Sequence, residues 1–157
     1  MPDYLSENEI VSGIVTIHLP TDWTVDLQGQ AQAYDPEFKC MLIIVGLPLG
    51  SGSSFGISSE VFDDAFFDGV YQGLSSEAFV FPDGHERACA GSVVYEKSLV
   101  TIDADDISLK GYLIIAHNDK SFYIIECFVR EPFYTDLAPM IQDILNSIEF
   151  EQNEVIA

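Results

Sequence analysis

The chain has 157 residues, of which 26 are acidic and six are lysine or arginine, so its formal charge is −20, and 48% of its residues are hydrophobic. A domain of about this length buries roughly 68–70% of its unfolded surface, so the composition predicts one domain over residues 1–157 with short flexible ends at about 1–9 and 151–157. Nucleic acids and anionic membrane surfaces attract basic proteins, and the charge therefore argues against both as partners.

The cysteines and the amino terminus indicate the compartment. Cys40, Cys89 and Cys127 are odd in number and widely spaced, which favours reduced thiols over a disulfide framework. The first ten residues carry acids rather than bases and no apolar run typical of a secretion signal. The longest apolar run, residues 40–49, is broken by a glycine and a proline and has about half the length that spans a bilayer. We expect a cytoplasmic protein without membrane insertion.

The first half of the chain predicts three strands and a helix. Residues 10–19 predict a first strand, residues 23–27 alternate as a half-buried strand, and a loop rich in Gln and Ala follows. Residues 39–47 are apolar on both faces, as in a central strand that is covered on two sides. A Gly/Ser-rich loop over residues 49–58 precedes a helix predicted from about Ser59 to Gly73, with an apolar stripe of Phe62, Ala65, Phe66 and Val70.

The second half predicts short strands, a long hairpin and a final helix. A short strand is expected at 78–81, a hairpin or broken strand at 87–94 and 99–102, and an acidic turn at 103–106. Residues 108–116 and 121–129 are rich in aromatic and β-branched side chains around a polar turn, which is typical of a β-hairpin. The last helix, capped by Thr135 or Asp136 and followed by a short strand, has its stripe at Leu137, Met140, Ile141, Ile144, Leu145 and Ile148.

Together these elements predict an α+β fold with a mostly antiparallel sheet of about six or seven strands flanked by helices. Both strands of the long hairpin are apolar on both faces, so the sheet needs cover on both sides, from helices or from a partner. Phe122, Ile124 and Phe128 share a face with Glu126 and Arg130, whereas the opposite face carries no charge. A charge is tolerated where water reaches, so the mixed face is expected to be the partly open one.

The order of several short motifs resembles the PsbP/Mog/DcrB-like superfamily of α/β/α sandwiches, over nearly the whole chain. The matching residues are Pro20 and Trp23 after strand one, Gly111 and Tyr112, Tyr123 and Ile125 in the hairpin, and the closing run Ile144 to Phe150. Members of the superfamily include photosystem extrinsic subunits, a Ran-binding protein, envelope lipoproteins and Eag-type chaperones that shelter apolar segments of secretion effectors. The resemblance implies a fold more than a function, and no catalytic activity is tied to that fold.

The candidate for nucleophilic catalysis is Ser54, in the sequence Gly52-Ser53-Ser54-Phe55-Gly56, with His85 or His117 as the base. This run matches the G-x-S-x-G pattern of a nucleophile elbow, which requires a sharp turn directly between a strand and a helix. Here Pro48, Leu49 and further Gly and Ser residues separate the strand from the serine, and the predicted sheet is antiparallel. A chance match within a Gly/Ser-rich loop is the favoured interpretation.

Metal and cofactor chemistry has little support in the sequence. Asp103, Asp105 and Asp106 offer carboxylates to a hard cation such as Ca²⁺, but the glycine and distal glutamate of an EF-hand are missing, so a solvated acidic turn is favoured. The histidines, including His18, have neither an i, i+4 partner nor cysteine neighbours at zinc spacing. Trp23 is expected in the core. We expect no catalytic residue, no metal and no cofactor.

The first functional hypothesis is a non-catalytic protein-interaction module, a chaperone or adaptor that covers an apolar segment of a partner through Phe122, Ile124 and Phe128. One alternative is an immunity-type protein whose acids neutralise a basic toxin. The other alternative, from a different class, is a small serine hydrolase that uses Ser54. The identity of the partner and the oligomeric state are open at this point.

Overall fold

The computed structural model describes residues 2–5, 7–48, 59–75, 79–104 and 106–151. This part of the chain contains eleven strands, two α-helices and two short 3-10 helices, Asp3–Leu5 and Glu131–Phe133. The strands and helices are, in chain order, β1 (Asn8–Ser12), β2 (Val15–Leu19), β3 (Thr24–Asp26), β4 (Ala31–Tyr34), β5 (Cys40–Pro48), α1 (Ser59–Ser75), β6 (Phe79–Val80), β7 (Glu86–Ala90), β8 (Val93–Ala104), β9 (Ile107–His117), β10 (Ser121–Arg130), α2 (Tyr134–Asn146) and β11 (Glu149–Phe150).

A large antiparallel sheet has eight strands in the order β3-β4-β5-β10-β9-β8-β6, and β7 also pairs with β8. The predicted long hairpin is confirmed as β9 and β10, and at its centre Cys127 lies opposite Tyr112. β5 and β8 flank the hairpin, so both of its strands have neighbours on either side. This central position, with cover on both faces, explains why the two strands are apolar on both faces.

Residues 10–19 form a hairpin rather than the single strand predicted. Gly13 adopts φ +56°, a left-handed conformation that favours glycine, and turns β1 into β2. β11 pairs with β2, which completes a separate three-stranded sheet. The turn packs on Tyr123 of the large sheet, since the Ile14 amide donates to the Tyr123 hydroxyl at 3.4 Å and a Cβ on Gly13 would collide with that ring. Tyr123 therefore joins the two sheets.

β4 lies where the sequence predicted a Gln/Ala loop. Ala31 and Ala33 face the core and are buried, whereas Gln32 and Tyr34 are partly exposed. Alanine is depleted in strands, so the alternation of these four residues gave little signal. β1 packs against β4, where small alanine side chains leave room for it.

The described residues near the amino terminus contribute to the core. Leu5 is fully buried, and β1 begins at Asn8. The Asn8 side-chain amide donates to the carbonyl oxygens of Pro20 and Trp23 at 2.9 and 3.1 Å, which ties the start of β1 to the following turn. Trp23 is only 5% exposed, so its predicted place in the core is confirmed.

Two apolar cores lie on opposite faces of the large sheet. The inner core lies between this sheet and a layer formed by α2 and the small sheet, and the outer core lies beneath α1. We refer to the two faces of the large sheet as the inner and the outer face. The order of layers is α1, large sheet, then α2 with the small sheet, which confirms the predicted α+β sandwich.

α2 carries the predicted stripe. Ile141 and Ile144 are fully buried in the inner core, and Leu145 is 7% exposed. The predicted cap at Thr135 or Asp136 is wrong, because the helix follows directly from the 3-10 helix and its first residue is Tyr134. That preceding turn lets the chain enter the helix without a side-chain cap.

α1 has nearly the predicted bounds, but its buried stripe is rotated. Phe67 and Tyr71 are 1% and 8% exposed, with Phe66, Val70 and Leu74 packed beside them. Ala65, which the prediction placed in the stripe, is exposed. The large rings remove more apolar surface from water than an alanine does, and they therefore decide which side of the helix meets the sheet.

Candidate interaction surface on the outer face

α1 covers only part of the outer face of the large sheet. Phe67 packs with Leu113 and Ile115 of β9 and Val100 of β8, and these four side chains are at most 1% exposed. On the same face of β5, Met41 and Leu47 are 41% and 48% exposed, and neither belongs to the core beneath α1. The outer face thus has a half that the helix covers and a half that is open among the described residues.

Side chains from two neighbouring strands form a ladder at the edge of the open half. We call this ladder the apolar strip. Alternate residues of a strand point to one face, and residues that lie opposite each other across an antiparallel pair share that face. Four such pairs join β5 to β10 on the outer face. They are Met41 with Phe128, Ile43 with Glu126, Val45 with Ile124 and Leu47 with Phe122. Seven of these eight side chains are apolar.

The three predicted site residues form the border between the two halves. Phe122 is partly buried and makes an edge-to-face contact with Phe66 of α1, with ring centroids 5.4 Å apart. Ile124 is partly buried, and Phe128 is 8% exposed with its ring 6.0 Å from that of Phe79. The structure therefore brings the three residues together on one face, but α1 and β6 already cover much of their surface.

The more exposed apolar surface belongs to β5, which its sequence pattern predicts to be covered on both sides. Met41 and Leu47 alternate with the buried Cys40, Leu42 and Ile44, so the two-faced apolar pattern was visible in the sequence. The pattern gave no information on which face a helix would cover. Only the lateral position of α1 on the sheet shows that these outward side chains remain accessible.

A shallow groove of about 250 Å³ lies at one end of the strip. Its lining is mainly apolar and comes from Phe38, Met41, Ile43, Ile102, Leu109 and Phe128, with Lys39, Glu126 and Arg130 among its other residues. Phe38 is 65% exposed and its ring stacks on that of Tyr34 at 5.1 Å. The groove widens the apolar strip at its Met41 end.

The backbone at Phe38 is held in a conformation that a bulky residue rarely adopts. Its φ is +56°, and a single strained residue of this kind costs on the order of 1–3 kcal/mol. Asp35 maintains the turn, because its carboxylate accepts hydrogen bonds from the amides of Lys39 and Cys40 at 2.6 and 2.9 Å. The turn places the Phe38 ring at the groove, where it is largely exposed.

One carboxylate lies within the strip, and a second lies beyond it on the same face. The register places Asp26, Gln32, Ile43 and Glu126 in one row across β3, β4, β5 and β10. Asp26 and Glu126 are both partly buried, on opposite sides of Ile43. At the groove end, Lys39 pairs with Glu37 at 2.9 Å, and this partner raises the pKa of the lysine. The surface around the strip therefore carries the acids Asp26 and Glu126 together with the bases Lys39 and Arg130.

The candidate bases His85 and His117 both contact other side chains, and Ser54 lies outside the described residues. His117 is buried and its Nε2 lies 2.7 Å from the Asp63 carboxylate of α1. His85 Nδ1 lies 2.6 Å from the Ser98 hydroxyl, and the His85 ring stacks on Tyr71. Burial lowers the pKa of His85, with smaller opposing effects from Glu96 and Asp68.

Ser98 also contacts the Tyr71 hydroxyl, at 3.2 Å, and burial raises the pKa of that tyrosine. Arg87 donates to Glu96 at 2.7 Å and to Asp64 of α1 at 2.9 Å. Ser98 is 2% exposed, so a substrate does not reach its hydroxyl in this structure. The polar side chains between α1 and the sheet therefore form contacts that hold the helix in place.

The remaining candidates lie apart from the strip. Asp103 accepts a hydrogen bond from Ser108 at 2.7 Å, and Asp105 lies outside the described residues. His18 lies 4.0 Å from Glu9 and 3.8 Å from Glu149 in the small sheet. No group of three potential metal ligands occurs among the residues described, and no helix there is long and apolar enough to cross a membrane. The three cysteines are free thiols, with Cys89 exposed on β7.

Comparison with known proteins identifies the fold. No family model and no curated protein sequence matches the chain. The structure is similar to the solution structure of cyanobacterial PsbP (CyanoP) from Synechocystis sp. PCC 6803, with a TM-score of 0.61 and 10% identity over 96% of this chain and 97% of that chain. It is also similar to a crystal structure from Bacteroides thetaiotaomicron VPI-5482, with a TM-score of 0.54 and 14% identity over 93% of this chain and 49% of that chain. The fold is thus PsbP-like, as predicted, whereas the Mog, DcrB and Eag branches stay predictions.

Proposed function

We propose that the protein is a non-catalytic interaction module, a chaperone or adaptor that covers an apolar segment of a partner protein with the apolar strip. The observation that carries the proposal is the exposure of Met41 and Leu47, at 41% and 48%, beside the predicted binding residues of β10. Apolar patches of this kind mark interaction sites, because their burial against a partner removes them from water. Free thiols are typical of proteins in a reducing compartment, and we propose that this protein acts in the cytoplasm.

The test compares two aspartate substitutions at equally exposed positions. Leu47→Asp puts a charge on the strip, whereas Val11→Asp puts one on β1 in the small sheet, and these residues are 48% and 47% exposed. Both variants should remain folded, since neither buries the new charge. In affinity capture from the native organism, wild type and Val11→Asp should retain the same specific partner and Leu47→Asp should lose it. Equal retention by all three proteins would refute the proposal.

The charge of −20 favours a second candidate function, the neutralisation of a basic toxin. Such a complex depends on long-range attraction between charges, which salt screens, whereas apolar burial on the strip does not weaken in salt. A captured partner that is released by about 1 M NaCl and is insensitive to Leu47→Asp would support neutralisation over the chaperone function.

A further inference from the structure

We propose that Asp63 of α1 and His117 of β9 form a proton-dependent clamp that holds α1 on the outer face and releases it as the pH rises above neutral. The clamp is a property of the fold, so it stands apart from the proposed function. Only its consequence for the apolar strip rests on that function.

Both ring nitrogens of His117 face hydrogen-bond acceptors. Nε2 lies 2.7 Å from a carboxylate oxygen of Asp63, and Nδ1 lies 3.3 Å from the carbonyl oxygen of Asn118. A carbonyl oxygen and an ionised carboxylate accept hydrogen bonds but donate none. Both contacts are therefore hydrogen bonds when each ring nitrogen carries a proton, which makes His117 an imidazolium cation paired with the Asp63 anion. A neutral ring would direct one buried lone pair at an oxygen, which is unfavourable.

The pair is shielded from water. His117 is 7% exposed, and the Asp63 side chain is 13% exposed. Three phenyl rings of α1 surround the imidazole at centroid distances of 4.9–5.6 Å, and they belong to Phe62, Phe66 and Phe67. In such surroundings the attraction between opposite charges is strong, and removing one charge leaves the other buried without a partner. The clamp thus favours α1 on the sheet when both groups are charged.

Other charged groups around His117 do not replace Asp63. They lie on α1, on β7 and β8 and in the turn after β9, and they are Asp64, Arg87, Glu96, Asp119 and Lys120. Arg87 binds Asp64 at 2.9 Å and Glu96 at 2.7 Å, so these three charges are engaged with one another. The two turn residues are exposed to water. On β8 and β10 the residues directly opposite His117 carry no charge.

Docking of α1 is linked to proton uptake. Away from the sheet the imidazole meets water, and a free histidine loses its proton at about pH 6.5. Below that pH the ring is charged in both states, so the clamp is fully present. Above it, docking takes up one proton, and the equilibrium constant for docking falls by up to about tenfold for each further pH unit. Neutral solutions therefore favour the docked helix, and alkaline solutions favour its release.

Release of α1 extends the apolar surface of the outer face. The centroid of the Phe66 ring lies 4.9 Å from that of His117 and 5.4 Å from that of Phe122, so the clamp lies beside the border of the apolar strip. Leu113 and Ile115 of β9, which are fully buried in the core beneath the helix, then become accessible. If the strip binds an apolar segment as proposed, the pH sets how much of the sheet that segment covers.

The first measurement is the charge of His117 in the intact protein. In ¹⁵N spectra of the imidazole groups, both nitrogens of His117 should carry a proton at about pH 7.5, and their signals are assigned by their absence in His117→Gln. His85 is the internal control, because burial lowers its pKa below 6.5 and its ring is then neutral. A neutral His117 ring at that pH would overturn the clamp, whatever the variants do.

The second measurement follows the release of α1 by hydrogen exchange of its amides, corrected for intrinsic exchange, between about pH 7 and about pH 9. In wild type the opening constant of α1 should rise by up to about tenfold per pH unit. Asp63→Asn keeps an acceptor for Nε2 but removes the charge, so its opening constant should be larger at about pH 7 and nearly independent of pH. Asp68→Asn is the matched control, because it removes an exposed carboxylate from the same helix, and it should behave as wild type.

Three exchange results would contradict the clamp. A wild-type opening constant that does not change with pH excludes the linked proton, and an unchanged pH dependence in Asp63→Asn assigns that proton to another group. If the β9 and β10 amides exchange together with those of α1, the helix leaves only by global unfolding and its local release is refuted. These measurements need no partner protein, so the Leu47→Asp capture experiment decides separately on the proposed function.

Discussion

The two faces of the large sheet are covered in different ways. On the inner face, Tyr123, Ile125, Cys127 and Val129 of β10 are all buried under α2 and the small sheet. On the outer face, the intervening residues of the same strand belong to the apolar strip, and α1 covers them on one side. One strand thus contributes both to a closed core and to the border of an accessible surface.

The covering layers also differ in what holds them. α2 is attached mainly by the aliphatic side chains Ile141, Ile144 and Leu145, and its Asp143 also accepts a hydrogen bond from the Tyr4 hydroxyl. α1 adds polar contacts to its aromatic stripe, with Asp63 bound to His117 and Asp64 bound to Arg87. The inner face thus holds the larger set of buried apolar side chains, whereas the outer face combines a smaller core with accessible apolar surface.

The largest effect is expected from a charge in the closed core. Tyr123 is 7% exposed, and its ring lies against Gly13 and Gly46, so Tyr123→Asp buries an unpaired carboxylate and leaves a cavity. Changes of this kind cost more than about 4 kcal/mol, a large share of a typical domain's stability. Tyr123→Asp should lack the near-UV circular dichroism of the folded protein.

Two controls sharpen that result. Tyr123→Phe removes only the hydroxyl that accepts from Ile14 and should remain folded, since one hydrogen bond contributes about 1 kcal/mol. Leu47→Asp puts the same charge on the open half and should also remain folded. A folded Tyr123→Asp would contradict the closed inner face, and an unfolded Leu47→Asp would contradict the open outer one.

A smaller effect is expected when one isoleucine is shortened on each face. Ile144→Ala removes fully buried methyl groups and should cost about 2–5 kcal/mol, which lowers the melting temperature by about 5–15 °C. Ile43→Ala changes the same side chain at a half-buried position of the strip and should cost less than half as much. Urea unfolding should show the same order of midpoints with similar slopes. Equal losses would mean that the strip is packed as tightly as the inner core.

The sequence predicted the long hairpin and α2 because their periodic patterns extend over nine or more residues. It also predicted which face of β10 is free of charge and buried, since Tyr123, Ile125, Cys127 and Val129 alternate with Glu126 and Arg130. The first hairpin was read as one strand because a two-residue turn at Gly13 hardly interrupts an apolar run. β4 was missed because alanine and glutamine carry little strand preference.

The candidate surface was predicted only in part for a different reason. Phe122, Ile124 and Phe128 were assigned to the correct face, because alternation along a strand determines the face of every side chain. Exposure also depends on where along the sheet α1 lies, and that position results from packing between residues far apart in sequence, such as Phe66 on Phe122. The apolar pattern of a single strand contains no information on such a contact. It therefore predicts a covered strand for Met41 and Leu47, which are accessible in the structure.

The smallest effect is expected from the polar contacts that hold α1. Burial lowers the pKa of His85 below its ordinary value of 6.5, so the folded protein favours the neutral ring that contacts Ser98. Below about pH 6.5 the unfolded chain then binds more protons than the folded one, and the stabilisation present above that pH is lost as the pH falls through the folded pKa.

His85→Gln lacks this titration. In urea unfolding, the stability advantage of wild type over His85→Gln should shrink between about pH 7.5 and about pH 5.5. The change should be small because His85 is largely exposed, and an advantage that grows on acidification would show that the folded state prefers the charged ring.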